Sequence, residues 1–412
     1  MKKSLQQDLT IGPIGKQLVR FALPLFAGSL IQLLYNTVDL IFVGQILGKE
    51  ASAAVGASSL LVTCILGFFT GLGVGVGVVV AKAVGSRNDQ RLHRIIHSAA
   101  GLTILLAVFF TICGIAIAPT CLTWMNTPAD VLPSATRYIR IYLLSLIAIV
   151  SYNIGSGILR ALGDSRSPMR YQLLGGIANV FGNTLFIYFL DWGVSGAALS
   201  TACSQGLAAI LTIRHLCGIQ ADYRLRLREI LLDRGICGEF LRIGIPAAAQ
   251  SIMITLSNVV VQSNINSLGV DSIAAFTAYF KVENMVYLPI LSFGQACSTF
   301  TSQNLGARQI QRVKQGVRRC IAIGVGITIC ISALTLLFSD QAFSLFAKDP
   351  EVIALGGKII RVTYPFYFVY VFLEVFASAI RGAGKALPAM VIIVETSQPV
   401  KMRYCQADSL SQ

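Results

Sequence analysis

The chain has 412 residues, of which 55% are hydrophobic and 13% charged, and its mean hydropathy is +0.70. This composition excludes an ordinary water-soluble globular domain. The net charge of +14 does not indicate nucleic-acid binding, because the basic residues fall in short segments between apolar runs and form no basic domain. The ten cysteines lie mostly inside apolar runs and lack metal-ligand spacing, so we expect no resident cofactor or metal.

Ten apolar runs with few or no charges follow one another along the chain. Two stretches, 51–81 and 243–270, contain no Asp, Glu, Lys or Arg and exceed the roughly 20 residues that span a bilayer. An eleventh run begins at Ala386 but stops at Val394, which is too short to complete a span. The sequence therefore predicts an all-α polytopic membrane protein with helices at about 18–47, 53–81, 95–118, 138–159, 171–190, 193–213, 241–268, 273–300, 317–338 and 355–380.

The basic residues alternate from loop to loop. Lys and Arg precede the first helix and recur in the loops after helices two, four, six, eight and ten, whereas the loops 119–136 and 191–195 contain none. In membrane proteins, short loops rich in Lys and Arg stay on the cytoplasmic side of the membrane. We therefore expect a multi-pass protein of the cell membrane with a cytoplasmic N-terminus.

An internal repeat divides the sequence into two halves. Gly85-Ser-Arg87 recurs 221 residues later as Gly306-Ala-Arg308, and the same offset pairs Arg160 with Arg381. An offset of six helices preserves orientation, so the halves are parallel repeats, an architecture typical of transporters. The predicted domains are an N-lobe at 1–213, a cytoplasmic connector at 214–239, an incomplete C-lobe at 240–394 and a polar tail at 395–412.

Four stretches follow one another in the sequence: Asn36 to Gly44, Leu159 to Met169, Trp192 to Thr201 and Thr299 to Ala307. In this order they resemble the multidrug and toxic compound extrusion (MATE) family, and within it the bacterial DinF-like branch. The resemblance implies two lobes of six helices that export organic cations, drugs or amphipathic compounds in exchange for Na⁺ or H⁺ by alternating access. We expect a monomer whose partners are these small molecules and membrane lipids, with no nucleic acid and no enzymatic activity.

The chain departs from the family pattern at its end. Most of helix eleven and all of helix twelve are missing from the pattern of apolar runs. The second lobe would then lack its copies of helices five and six. A truncated, inactive transporter is therefore an alternative to an active exporter.

The candidate cation-coupling residues lie in the first half. Asp39 is the only acidic residue of helix one, and a carboxylate deep in an apolar span is a functional hypothesis because its charge is costly there. Asn179 and Asn183 lie one helical turn apart, and their amide oxygens suit a hard cation such as Na⁺. Thr201 on helix six can add a hydroxyl. The resemblance assigns Asp39, Asn179 and Thr201 to the family's cation site, whereas Asn183 stands where an aspartate is frequent; interhelical hydrogen bonding is the structural alternative.

The second half offers candidates for a substrate cavity. Glu283 and Glu374 are its remaining acidic candidates. Glu283 can pair with Lys281 or face a substrate cation, and Glu374 can likewise have a structural or a functional role. Gln250, Asn258 and Gln262 on helix seven can line a wet cavity or join helices.

Other functional classes fit the residues less well. A flippase for a lipid-linked saccharide, of the same superfamily, would need cationic residues within the lobes to meet phosphates. A membrane enzyme would need a set of catalytic residues at one depth of the bilayer, and a channel would need a selectivity-filter segment; the sequence shows neither. The run from Gly71 to Gly77 lies inside a charge-free helix, so we interpret it as a site of close helix packing or flexure and not as a nucleotide loop. His93 and His97, one turn apart, could bind a metal only with a third ligand.

Overall fold

The structure is a computed structural model that describes residues 7–267, 269–344, 346 and 349–396. No β-strand occurs in these ranges. Most of the predicted polar tail lies outside the described residues. The α-helices are α1 (Ile14–Ile46), α2 (Gly48–Gly85), α3 (Asp89–Trp124), α4 (Leu132–Leu144), α5 (Leu146–Ala161), α6 (Arg166–Asn183), α7 (Gly193–Cys217), α8 (Arg234–Asn266), α9 (Val270–Gly306), α10 (Ile310–Leu337), α11 (Ser339–Ser344), α12 (Pro350–Thr363), α13 (Tyr367–Gly382) and α14 (Ala386–Thr396).

Every predicted span coincides with helical structure, and two spans that the sequence predicts as continuous are broken. The pair α4 and α5 bends by 47° at Ser145. The Ser145 hydroxyl donates to the Tyr142 carbonyl at 2.6 Å and so competes with the backbone hydrogen bonds of the helix. A 3₁₀ turn over Tyr364–Phe366 separates α12 from α13 because Pro365 has no N–H to donate. By length and composition, seven helical segments of the described residues can cross a membrane, with α12 and α13 counted together as one of them. The number is eight if the bent pair of α4 and α5 also forms one span.

The backbone repeats the pattern that the sequence repeats. Gly163 and Gly384 have φ of 92° and 88°, and Gly48 and Gly269 have φ of 81° and 96°. Only glycine adopts this left-handed region without a steric cost, so each pair marks the same turn in each half. The 221-residue offset of the sequence is thus also present in the structure.

Contacts divide the chain into two compact units. Among the described residues, the first unit contains 7–8 and 27–248, and the second contains 9–26 and those from 249 to 396. Both α1 and α8 therefore contribute to both units, and each changes unit two residues after a proline, Pro24 or Pro246. The predicted lobe boundaries describe the sequence repeat and stay a prediction.

The glycine run of α2 packs against two neighbouring helices inside the first unit. A Cβ atom on Gly71 would lie 2.3 Å from the Ala248 backbone nitrogen, and one on Gly75 would lie 2.5 Å from the Phe240 carbonyl oxygen. On another face of α2, a Cβ on Gly77 would lie 3.6 Å from the Gly157 carbonyl oxygen of α5. The run therefore lets helix backbones approach closely, as the sequence predicts.

The connector between α7 and α8 runs along the start of α3. Arg94 pairs with Asp233, and Arg91 pairs with Glu239 at 2.8 Å. Asp233 also begins α8, because its Oδ1 accepts hydrogen bonds from the backbone N–H groups of Gly235 and Ile236 at 3.0 and 3.2 Å. These bonds fix the entry of the chain into α8.

The stability of this helix start should depend on pH. The hydrogen bond from the Ile236 backbone, with Arg94, lowers the pKa of Asp233. A lowered carboxyl pKa stabilises the folded state fully above the unfolded pKa of about 4, and the stabilisation is lost as pH falls through the folded value. We expect the Tm in detergent to be higher for the wild type than for Asp233→Asn at pH 7, with the difference shrinking below pH 4. An equal difference at both pH values would contradict this account.

Candidate functional site

Close packing of α6 against α7 places the candidate residues of the first unit. A Cβ on Gly182 would lie 2.5 Å from the Ser200 hydroxyl, and one on Gly175 would lie 3.2 Å from the Ser204 carbonyl oxygen. Glycine at both positions lets the two helices approach along their length. Asn183 ends α6, and a π-helical turn over Thr184–Phe189 follows it directly, an irregularity that is frequent at functional sites.

A hydrogen-bonded polar cluster joins α1, α6 and α7. The Asn183 amide donates to the Asp39 carboxylate and, at 3.4 Å, to the Asn179 amide oxygen. The Asn179 amide lies 3.4 Å from the Ser200 hydroxyl, and that hydroxyl donates to the Asn179 carbonyl at 2.7 Å. Asn179, Asn183 and Ser200 are fully buried, whereas Asp39 is half-buried. We name Asp39, Asn179, Asn183 and Ser200 the coupling cluster.

One oxygen of the coupling cluster is buried and has no hydrogen-bond partner among the residues that the structure describes. Because the Asn183 NH₂ group faces two acceptors, its Oδ1 points away from them, and this atom is unpaired. A buried polar atom without a partner costs free energy unless a ligand or water meets it. Carboxylate, amide and hydroxyl oxygens are the ligands of a hard monovalent or divalent cation, and the Asp39 carboxylate can instead take a proton. The cluster can therefore exchange a cation or a proton.

Thr201 lies beside the coupling cluster, but its hydroxyl bonds elsewhere. Its Oγ1 donates to the Ala197 carbonyl of its own helix at 3.2 Å, while the preceding residue, Ser200, supplies the hydroxyl that Asn179 meets. Adjacent helical residues point about 100° apart. The rotation of α7 about its own axis therefore decides whether the hydroxyl of Ser200 or that of Thr201 faces Asn179. For this reason, Ser200 could not be predicted from the sequence.

A second polar group extends the coupling cluster along α1. The Tyr35 hydroxyl accepts from the Gln172 and Gln205 side-chain amides, each at 3.3 Å. Tyr35 stands one turn before Asp39 on α1, so both side chains share a face. The i, i+4 spacing of a tyrosine and an aspartate was the signal available in the sequence.

In the second unit, Glu283 lies among tyrosines. The Tyr367 hydroxyl donates to its carboxylate, and the Tyr367 ring lies 5.5 Å from that of Tyr364 and 6.4 Å from that of Tyr370. Lys281, considered above as a partner of Glu283, places its ammonium group over the Phe346 ring at 5.7 Å. A carboxylate among aromatic faces is an environment that attracts organic cations.

Glu374 is buried at a different depth of the same helix pair. The Ser378 hydroxyl donates to its carboxylate at 2.9 Å, and a Cβ on Gly294 of α9 would lie 2.8 Å from Glu374 Oε1. Seven residues separate Tyr367 from Glu374, which is about 10 Å along a helix. The structure therefore places Glu283 and Glu374 at separate points of the interface between α9 and α13.

The amide candidates of α8 lie in three different settings. Gln250 is buried, and within the described part of the chain its Oε1 has no hydrogen-bond partner. Gln262 donates to Asn266 on the same helix at 3.0 Å, and Asn258 is exposed. Of these three, Gln250 has an orphaned buried oxygen like that of Asn183.

Comparison with known proteins gives matches along nearly the whole chain. The MatE family model matches residues 24–185 and 246–405, once in each half. The probable multidrug resistance protein YpnP of Bacillus subtilis is 28% identical over 392 residues, covering 93% of this chain and 86% of that protein. A FAD transporter of Shewanella oneidensis is 26% identical, covering 94% and 86%.

A solved structure shares the fold. It is described as the outward-facing conformation of a multidrug resistance MATE family transporter of the MOP superfamily, and its TM-score is 0.89 at 26% identity, covering 95% of this chain and 88% of that one. Together with the match of the family model to both halves, this places the two repeats within one known architecture. The chain therefore belongs to the MatE family of multidrug and toxic compound extrusion transporters.

Proposed function

We propose that this protein is an antiporter that exports organic cations or amphipathic drugs in exchange for Na⁺ or H⁺. The observation that carries the proposal is the coupling cluster, in which a membrane-embedded carboxylate adjoins a buried, unpaired amide oxygen. Occupation by an ion neutralises Asp39, and an ion that binds one conformation better than another shifts the balance between them. Export and ion entry are thereby linked.

The charge of the candidate residues favours cationic substrates. Asp39, Glu283 and Glu374 are acidic, and the coupling cluster and the tyrosines around Glu283 add neutral polar and aromatic groups. Cations gain from carboxylates and aromatic faces, whereas an anion would be repelled. The similarity to YpnP supports drug export. The similarity to the FAD transporter suggests an anionic substrate as an alternative, and a transport assay can distinguish the two substrates.

The proposed setting is the cell membrane, with a cytoplasmic N-terminus and a monomeric chain surrounded by lipid. The supporting observation is that Lys and Arg lie before the first helix and in every second loop after it. Loops rich in these residues stay on the cytoplasmic side of the membrane. Cysteine accessibility at the α2–α3 turn and at the loop before α4 would report the orientation.

The function is tested by ethidium efflux from cells that express the chain, first with an imposed Na⁺ gradient and then with an H⁺ gradient. We expect efflux above the empty-vector level with one of the two gradients, which identifies the coupling ion. Well-expressed protein that moves FAD and not ethidium would replace the cation proposal with the anionic alternative. Absence of transport of both compounds would contradict the antiporter itself.

Glu283 should affect substrate affinity and leave ion coupling intact. In Glu283→Gln we expect the KM for ethidium to rise about tenfold, because a bond to a charged group contributes about 1.5–3 kcal/mol. The dependence of transport on the ion gradient should stay unchanged, since Asp39 is untouched. Glu351→Gln, at an exposed carboxylate in the first turn of α12, is the matched control. A KM equal to that of the control would remove Glu283 from the substrate site.

A further inference from the structure

Three potential metal ligands meet where the connector lies on the first turns of α3. His93 and His97 project from one face of α3 with ring centroids 4.0 Å apart. Glu229, from the connector, places its Oε2 3.2 Å from the His93 Nε2. One ligand atom from each of the three residues lies within 4.8 Å of the other two. The sequence supplies the histidine pair, and the fold supplies the third ligand that the pair lacked.

Both imidazole rings are oriented by backbone carbonyl groups. His93 Nδ1 lies 3.1 Å from the Asp222 carbonyl oxygen, and His97 Nδ1 lies 2.7 Å from the His93 carbonyl oxygen. A protonated Nδ1 in such a bond leaves Nε2 with its lone pair, which is how metal-ligating histidines are usually held. Arg226 holds the other carboxylate oxygen of Glu229 at 2.8 Å, so that Oε2 is turned toward His93.

We propose that His93, His97 and Glu229 bind a zinc-class divalent cation that fastens the connector to α3. Two imidazole nitrogens and one carboxylate oxygen are a ligand set that Zn²⁺ accepts, with water in the fourth position. The Glu229 side chain is 43% exposed, so an ion can enter from the aqueous side. The site lies outside the coupling cluster and is independent of the transported substrate.

Metal binding replaces two contacts among these residues. Nε2 of His97 accepts the Arg226 backbone N–H at 3.0 Å, and this bond is exchanged for the metal. The direct contact between His93 Nε2 and Glu229 Oε2, at 3.2 Å, is replaced by coordination of both atoms to the same ion. One ion thereby links the connector segment 222–229 with α3.

The test uses purified full-length protein with a tag that contains no histidine. After chelator treatment, the protein is equilibrated with ZnCl₂ and bound metal is quantified. We expect one Zn²⁺ per chain in the wild type and at least a tenfold weaker affinity in both His93→Gln and Glu229→Gln. The matched control is His215→Gln, which removes the remaining histidine and should bind like the wild type. Because the cysteines are unchanged in every variant, equal zinc binding in all of them would assign the metal to thiols and overturn the proposal.

A second readout follows the connector itself. Trypsin can cleave after Arg224, Arg226 and Arg228, and Zn²⁺ should slow this cleavage several-fold in the wild type. Glu229 is partly exposed, so Glu229→Gln should fold normally and lose the protection. Connector cleavage that is insensitive to Zn²⁺ in the wild type would overturn the proposal as well.

Discussion

Replacement of Asp39 by Asn is expected to reduce gradient-driven ethidium efflux to the level of cells with an empty vector. The side chain keeps its shape but can no longer carry a charge or take up a proton. A coupling ion then loses the charged ligand of the cluster, and an ion without differential affinity cannot shift a conformational balance. The effect should be on transport alone, because the Asn183 amide can still donate to the remaining carbonyl oxygen at position 39.

Two controls separate lost coupling from lost folding. Asp39→Asn should reach the membrane in the same amount as the wild type and unfold in detergent at a similar Tm. Asp130→Asn, at an exposed carboxylate before α4, should export ethidium normally. Full gradient-driven efflux in Asp39→Asn would remove this residue from the cation site.

Alanine at Gly71 or Gly75 should strongly destabilise the first unit. A Cβ atom at either position would approach the α8 backbone to 2.5 Å or less, and backbone cannot yield as a flexible side chain can. Overpacking costs about 1–3 kcal/mol and more where nothing can move. We expect a large fall in Tm, measured by fluorescence-detected size-exclusion chromatography after heating in detergent, together with a low yield.

Gly56→Ala is the matched control on the same helix. Apart from the local backbone of α2, no atom of the described residues lies within 4 Å of a Cβ built at Gly56, so alanine fits there. Its better helix propensity, by up to about 1 kcal/mol, should leave the Tm unchanged or slightly raised. A similar loss of Tm in all three variants would show that the contact with α8 is not the cause.

The fold was predictable from the sequence because a bilayer imposes long apolar helices and because the halves repeat. Charge-free runs located the spans, and the 221-residue offset also relates glycines with left-handed backbone, such as Gly163 and Gly384. The breaks at Ser145 and Pro365 were not predicted. A serine or a proline inside an apolar run is compatible with a straight, kinked or broken helix, and the neighbouring helices decide among them.

The coupling cluster was partly predictable. A lone carboxylate in helix one and two asparagines at i, i+4 identified Asp39, Asn179 and Asn183, which the structure joins by hydrogen bonds. Ser200 was missed because helix rotation, which selects it over Thr201, is set by packing. Glu229 was missed because it reaches His93 from a connector without helical periodicity, 136 positions further along the chain. Local patterns do not reveal such pairs.

The most direct test of the coupling cluster uses purified protein in proteoliposomes, where no other transporter contributes. Ethidium movement is recorded under an imposed Na⁺ gradient, an H⁺ gradient and no gradient, for the wild type, Asp39→Asn and Asp130→Asn. The account predicts transport that one gradient drives in the wild type and in Asp130→Asn, and that is absent in Asp39→Asn. Ethidium movement that is equal with and without gradients, or that Asp39→Asn retains, would contradict ion-coupled export through this cluster.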